Sequence, residues 1–233
     1  MKVSFYIVTY NKNKYLPNTL FSIARQKPSF DYDMCIVDDC SDEDPEPIIR
    51  NFFPNAKYLR LEKHTGFMGS YRDGYKVIPD NTDILIMQSD DVVHLNLNTI
   101  ETLCKSVKSK VVSFASVRNA KIPFNDWKNN LIVSSKVKRK HIRGGHGKWY
   151  FFLGAALKKD MDLIGLGRDI LCDCDTHRRD RMKEAKFSAV YPPIEALHQI
   201  HPFYFSPCPL EIASKCKYLC KARPEGVERL NAS

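Results

Sequence analysis

Apolar residues in the first half of this chain fall into short unbroken runs, each followed by a stretch with helical spacing. Val3 to Thr9 is β-branched and aromatic, the composition of a buried strand. Between Lys14 and Gln26, Leu16, Leu20, Ile23 and Ala24 recur at helical intervals, and Pro17 is tolerable in a first turn. Met34 to Val37 reads as a second strand, Asp44 to Phe53 as a short helix and AKYLRLE as a third strand. GFMGSYRDGYKVI resembles a helix opened by Gly66. A fourth strand follows at Asp83 to Gln88, then a helix over Asn96 to Ser109 and a fifth strand in KVVSFASV.

Strand and helix alternating with short connections predict an α/β fold, a mostly parallel sheet flanked by helices. Ligands of such sheets bind beyond the carboxyl ends of the strands. Three predicted strands end in polar motifs, VTYN, VDDCSD and QSDD, and all three tips fall on one edge. The second half is less regular. WYFFLGAALKKD runs from an aromatic strand into a helix, DILCDCDTHRRDRMKEA reads as a helix with Asp173 and Asp175 at its start, and ALHQIHP follows a sixth strand. With no repeat and no linker, residues 1–233 read as a single domain.

QSDD poses a physical problem. An apolar strand running into Asp90 and Asp91 sets two like charges at the edge of a core, which costs free energy unless a cation lies between them. Two readings stand: the pair binds a metal ion, or it caps a following helix begun by DDVVHLN.

Composition narrows the class. The 233 residues are 43% hydrophobic and 27% charged, which suits a globular protein and argues against disorder. No apolar run approaches the roughly 18 residues that span a bilayer, and MKVSFYIVTYNKNKY reads as a strand rather than an export signal. A cytoplasmic protein with its eight cysteines as thiols is the expectation. Their spacing lacks the paired knuckle of a structural zinc site. Much of the +9 formal charge sits in Lys136 to Lys148. That run is either a solvated loop or a glycine-hinged one that folds over a diphosphate, or makes peripheral contact with an anionic membrane or acceptor. Nothing near it has the interleaved aromatics of a nucleic-acid module.

Taken in order, VTYNKNKYLPNTLFSIARQ, CIVDDCSDED, HTGFMGSYRDGY and ILIMQSDDV, and more weakly FLGAALKKD and LCDCDTHRR, resemble the family 2 glycosyltransferases of GT-A fold. The resemblance covers Lys2 to Glu184. It implies an inverting enzyme in which residues 1–117 bind a nucleotide-sugar, most readily a UDP-sugar, and residues 118–233 shape the site for a glycan or glycoprotein acceptor. Thr9 and Tyr10 match family positions that contact the base, Asp39 the acid that bonds base or ribose, and Arg72 the arginine of an A-R-N-x-G block. QSDD lies at the family's metal motif, with Gln88 where its first acid usually stands. Asp90 and Asp91 are left to face the ribose and the metal.

In such an enzyme the cation is Mn²⁺ or Mg²⁺. It neutralises the negative charge that builds on the departing diphosphate. Inversion also needs a base for the acceptor hydroxyl. Asp173 matches the family's acid, with Cys172 in place of the glutamate beside it, and Asp175 is the second candidate. The competing reading for both is first-turn acids favoured by a helix dipole. A histidine completes the metal site in some relatives, which makes His198 a candidate ligand and His201 a lesser one. Trp149 is the aromatic suited to stack on an acceptor sugar.

Two other classes are weighed against this one. A sugar-phosphate nucleotidyltransferase would carry a glycine-rich loop after its first strand, and VTYNKNKY has no glycine. A catalytically degenerate sugar-nucleotide or glycan-binding module would explain Gln88 and Cys172 where acids are usual. The polar end ARPEGVERLNAS suggests one module of a longer polypeptide.

Overall fold

A computed structural model describes residues 1–120, 153–165 and 181–199. Its largest element is a seven-stranded sheet in the order β3-β2-β1-β4-β8-β6-β9. The strands are β1 (Val3–Thr9), β2 (Tyr32–Asp38), β3 (Lys57–Arg60), β4 (Ile84–Ser89), β6 (Val111–Phe114), β8 (Leu153–Leu157) and β9 (Ser188–Val190). β1 to β4 are mutually parallel, β8 runs antiparallel to β4 and β6, and β9 is parallel to β6. The expected mostly parallel α/β sheet is therefore present.

Every residue of β1 is buried, as a central parallel strand covered on both faces requires. Alternate side chains serve opposite faces. Phe5 and Ile7 join Met34, Ile36 and Ile86 in one core layer, against Leu16, Leu20 and Ile23 of α1 (Leu16–Ala24), Ile49 of α2 (Glu46–Phe52) and Ile100 and Leu103 of α4 (Thr99–Ser106). Tyr6 and Val8 join Val37, Leu85 and Met87 in the other, against Tyr71 of α3 (Gly66–Gly74) and Met161 of α5 (Lys158–Leu163).

A three-stranded sheet, β5-β10-β7, packs beside α1: β5 (Val92–His94), β7 (Ser116–Ala120) and β10 (Glu195–Gln199). It corrects two expectations. KVVSFASV is not one strand but two, because the chain changes sheets at Ala115. The Ala115 amide bonds the Leu153 carbonyl in the large sheet at 3.1 Å, and the next amide, Ser116, bonds Ile194 beside the small one at 3.0 Å. Nor do Asp90 and Asp91 cap a helix. They form a two-residue turn between β4 and β5, and the next helix begins only at Thr99. The β-branched Val92 and Val93 pair with β10 instead of coiling.

Candidate active site

Register brings the predicted tips together. Thr9 at the end of β1 lies opposite Asp38 at the end of β2, and Val8 lies opposite Ser89 at the end of β4. Past Thr9 the backbone turns through Asn11 in the left-handed region, φ 52°, which asparagine tolerates. Asn11 fastens the first tip to the second: its amide donates to Ser41 Oγ at 2.8 Å, and its side-chain oxygen accepts from the Asp42 amide at 2.8 Å.

The two acids of VDDC are distinct. Asp38, fully buried, faces Arg60 Nη1 at 3.0 Å and accepts from the Ser41 amide and hydroxyl. Asp39 turns towards the segment leading into α3. One carboxylate oxygen accepts from the Thr65 amide at 2.8 Å and its hydroxyl at 2.9 Å, and the other lies 2.9 Å from His64 Nδ1. Burial raises the pKa of both acids, while these hydrogen bonds pull it down. Gly66 starts α3 with φ 75°, a conformation that side chains rarely adopt, and thereby sets Thr65 and His64 over Asp39. The Tyr10 ring stacks on His64, with centroids 3.9 Å apart and planes 24° from parallel. Burial, and then Asp42 and Asp39, raise the Tyr10 pKa, so its hydroxyl stays protonated.

Asp90 and Asp91 sit at the third tip, 8% and 6% exposed. His198 reaches them because β10 pairs antiparallel with β5, which sets His198 opposite Val92. Its Nε2 lies 3.4 Å from Asp91 Oδ1, and Lys12 Nζ lies 3.7 Å from Asp91 Oδ2. The positive charge that the paired acids demand is thus partly supplied by Lys12. Among the described residues, no three His, Cys, Asp or Glu side chains are grouped as a ready metal cage. The donors nonetheless suit a hard divalent ion in kind. Adjacent carboxylates offer oxygen ligands and His198 an imidazole, at a mostly buried edge where unopposed like charge is costly.

Arg72 lies on α3 and engages its neighbour Asp73, Nε to Oδ1 at 2.6 Å. Thr9, Tyr10, Asp39, Asp90, Asp91 and His198 are brought to one edge. Asp173, Asp175, Trp149, His201 and the basic run 136–148 lie outside the described residues. Lys12, His64 and Thr65 were not singled out from sequence. The one signal for the latter two was the glycine that follows them. Lys12 had none, since most lysines are solvated.

A mostly parallel sheet with paired acids at the tips of β2 and β4, beside an aromatic and carboxylate shelf, is the arrangement of a GT-A fold. The Glycosyl transferase family 2 sequence model matches residues 4–162, and the chain belongs to that family. It is 31% identical over 97 residues to the poly(ribitol-phosphate) beta-N-acetylglucosaminyltransferase TarS of Staphylococcus aureus, a match covering 40% of this chain and 17% of that protein. It is 40% identical over 64 residues to the chondroitin synthase of Escherichia coli, covering 27% of this chain and 9% of that one. The matched stretch is therefore less than a fifth of either relative's length. Among solved structures, the mannosyltransferase PcManGT of Pyrobaculum calidifontis, in complex with GDP-Man and Mn²⁺, aligns over 99% of this chain and 68% of its own with TM-score 0.61 and 16% identity. GalNAc-T7 with UDP, GalNAc and Mn²⁺ aligns over 92% of this chain and 47% of its own, with TM-score 0.61 and 14% identity. At such identities the likeness is one of fold.

Proposed function

We propose that this domain is a metal-dependent inverting glycosyltransferase that moves a sugar from a UDP-sugar to a hydroxyl of a glycan or glycoprotein. The observation that carries the reading is the acid turn Asp90–Asp91, held beside Lys12 and His198 on the sheet edge that also bears Tyr10, His64 and Asp39. Tyr10 and His64 offer a flat face to the base, while Thr9 and Asp39 supply polar contacts to base and ribose. Asp90 and Asp91, with His198, would hold Mn²⁺ or Mg²⁺, and Asp90 also faces the ribose. When bound, the ion offsets the negative charge that develops on the leaving diphosphate. Lys12 adds a fixed positive charge on the same side. Arg72 is assigned to the donor site by its family position alone.

Asp173 accepts the proton of the acceptor hydroxyl as that oxygen attacks the anomeric carbon. The new C–O bond forms on the face opposite the departing diphosphate, so the configuration inverts. Residues 1–117 serve the donor, residues 118–233 the acceptor, and the basic run 136–148 is the segment suited to an anionic membrane surface or diphosphate. UDP is favoured by the solved complexes of TarS with UDP and of GalNAc-T7 with UDP. PcManGT with GDP-Man makes GDP the competitor to test.

The test is thermal unfolding with UDP, GDP and dTDP, each with and without Mn²⁺, on wild type and Asp91→Ala. A nucleotide at 100 times its Kd adds about 2.7 kcal/mol of stability. Stabilisation by UDP that requires Mn²⁺ and vanishes in Asp91→Ala is expected. No response to any nucleotide overturns the reading and leaves a module that binds no sugar-nucleotide.

A further inference from the structure

Gln88 stands where the family's first acid usually lies, and its surroundings explain the change. The side chain is fully buried near the end of β4, two residues before Asp90. Its amide spans the acid turn: Nε2 donates to the Val92 carbonyl at 2.8 Å, and Oε1 lies 2.7 Å from His94 Nε2. The Val92 carbonyl can only accept, so the amide oxygen of Gln88 faces the ring and His94 Nε2 is the donor, in keeping with a His94 Nδ1 that has no hydrogen-bond partner among the described residues. Burial holds the ring neutral, with its pKa pushed down to about 3.

The order of donors and acceptors is thus fixed from both ends. Residue 88 must accept from His94 and donate to Val92, and a primary amide does both. A carboxylate would set an anion against the Val92 carbonyl at a fully buried position, where desolvation makes it costly. An aliphatic side chain would strand a buried N–H and a buried C=O. The far end of this bridge is itself anchored. The His94 amide donates to Ser22 Oγ at 3.0 Å, the Ser22 hydroxyl donates to the Thr19 carbonyl at 2.8 Å, and Arg25 Nη2 donates to the His94 carbonyl at 3.3 Å. The turn carrying Asp90 and Asp91 is therefore tied through β5 to α1, away from the sheet edge it serves.

We infer that Gln88 is a positioning residue: with His94 it staples β4 to β5 across the acid turn, fixes the direction of Asp90 and Asp91, and is not itself a metal ligand. The inference rests on the reading of those acids as the cation site. It turns the departure at position 88 from a sign of degeneracy into a part of the site's support.

Two near-isosteric variants of the full chain test it, Gln88→Glu and Gln88→Met, with Mn²⁺ alone as the probe and free ion counted by electron paramagnetic resonance. Groups that hydrogen-bond a metal ligand directly are worth roughly 10-fold to 100-fold in affinity, and Gln88, which holds the turn through Val92 and His94, is expected at the lower end of that range. Both folded variants are expected to weaken Mn²⁺ binding by that order, and His94→Gln, which keeps an N–H donor, by less. Tighter Mn²⁺ binding in Gln88→Glu overturns the inference, because residue 88 would then face the ion. Unchanged affinity in both variants overturns it too. Should wild type take up no Mn²⁺, the reading of the acids falls, and amide hydrogen exchange from Asp91 to His94 decides the staple. Faster exchange there in Gln88→Met upholds it, and unchanged exchange refutes it.

Discussion

His94 makes the fold sensitive to acid in a way that can be measured. Its ring is fully buried and its pKa is pushed from the usual 6.5 down to about 3, by desolvation first and by the nearby Arg25 second. Between those values the unfolded chain binds a proton that the folded chain refuses. Stability supplied by the neutral ring is therefore complete above pH 6.5 and is lost as pH falls towards 3. Each pH unit in that window removes roughly 1.4 kcal/mol, about 3 kcal/mol by pH 4.5, out of a total that for a domain of this kind is about 5–15 kcal/mol. Asp38 and Asp39, with pKa values raised by burial, act in the opposite sense. Protonation favours their folded form, so they gain stability as pH falls towards 3.8. A difference measurement cancels them. Urea unfolding of wild type and His94→Gln from pH 7 to pH 4.5 should show the gap between the two closing by about 3 kcal/mol as the medium is acidified. Parallel curves would refute the reasoning, because they would mean that His94 takes up its proton without unfolding.

Gly74→Ala places a methyl 2.5 Å from Val37 Cγ2 and 2.9 Å from Tyr6 Oη, against β1 and β2. Overpacking of this kind costs about 1–3 kcal/mol, and a midpoint in urea equal to that of wild type would contradict the packing described. His64→Ala removes the ring stacked on Tyr10 and a partner of Asp39. The expected loss of UDP affinity in calorimetry is about 1–3 kcal/mol, the usual worth of one base–aromatic contact. An unchanged Kd would place the base elsewhere.

Legibility in the sequence followed the range of the interactions. β1, β2 and β4 were readable because a parallel strand buried on both faces is an unbroken apolar run, and the acids at their tips stand out against it. The small sheet was hidden. β5 depends on β10, about a hundred residues further along, and nothing local to Val92–His94 announces that partner. The same long-range pairing sets His198 beside Asp91, so a histidine singled out by family resemblance came to the acids through a strand register that no local pattern encodes. The buried polar side chains of α1 were equally silent. Asn18 donates to Gln199 Oε1 at 2.8 Å and Ser22 accepts from His94, roles that follow from β5 and β10 and not from helical periodicity. Gln88 was read from sequence only as a missing acid. Its amide bonds to Val92 and His94 give it a positive role that three-dimensional contact alone reveals.

The most direct test of the central claim is turnover. Wild type and Asp91→Asn would be incubated with UDP-N-acetylglucosamine, other UDP-sugars and GDP-mannose, with Mn²⁺ or with chelator, and release of the nucleoside diphosphate followed with water as the acceptor. The account predicts that UDP is released from a UDP-sugar by wild type only when Mn²⁺ is present, and not by Asp91→Asn. Release that is indifferent to Mn²⁺ and to Asp91, or binding of the donor by wild type with no release from any of them, would contradict it.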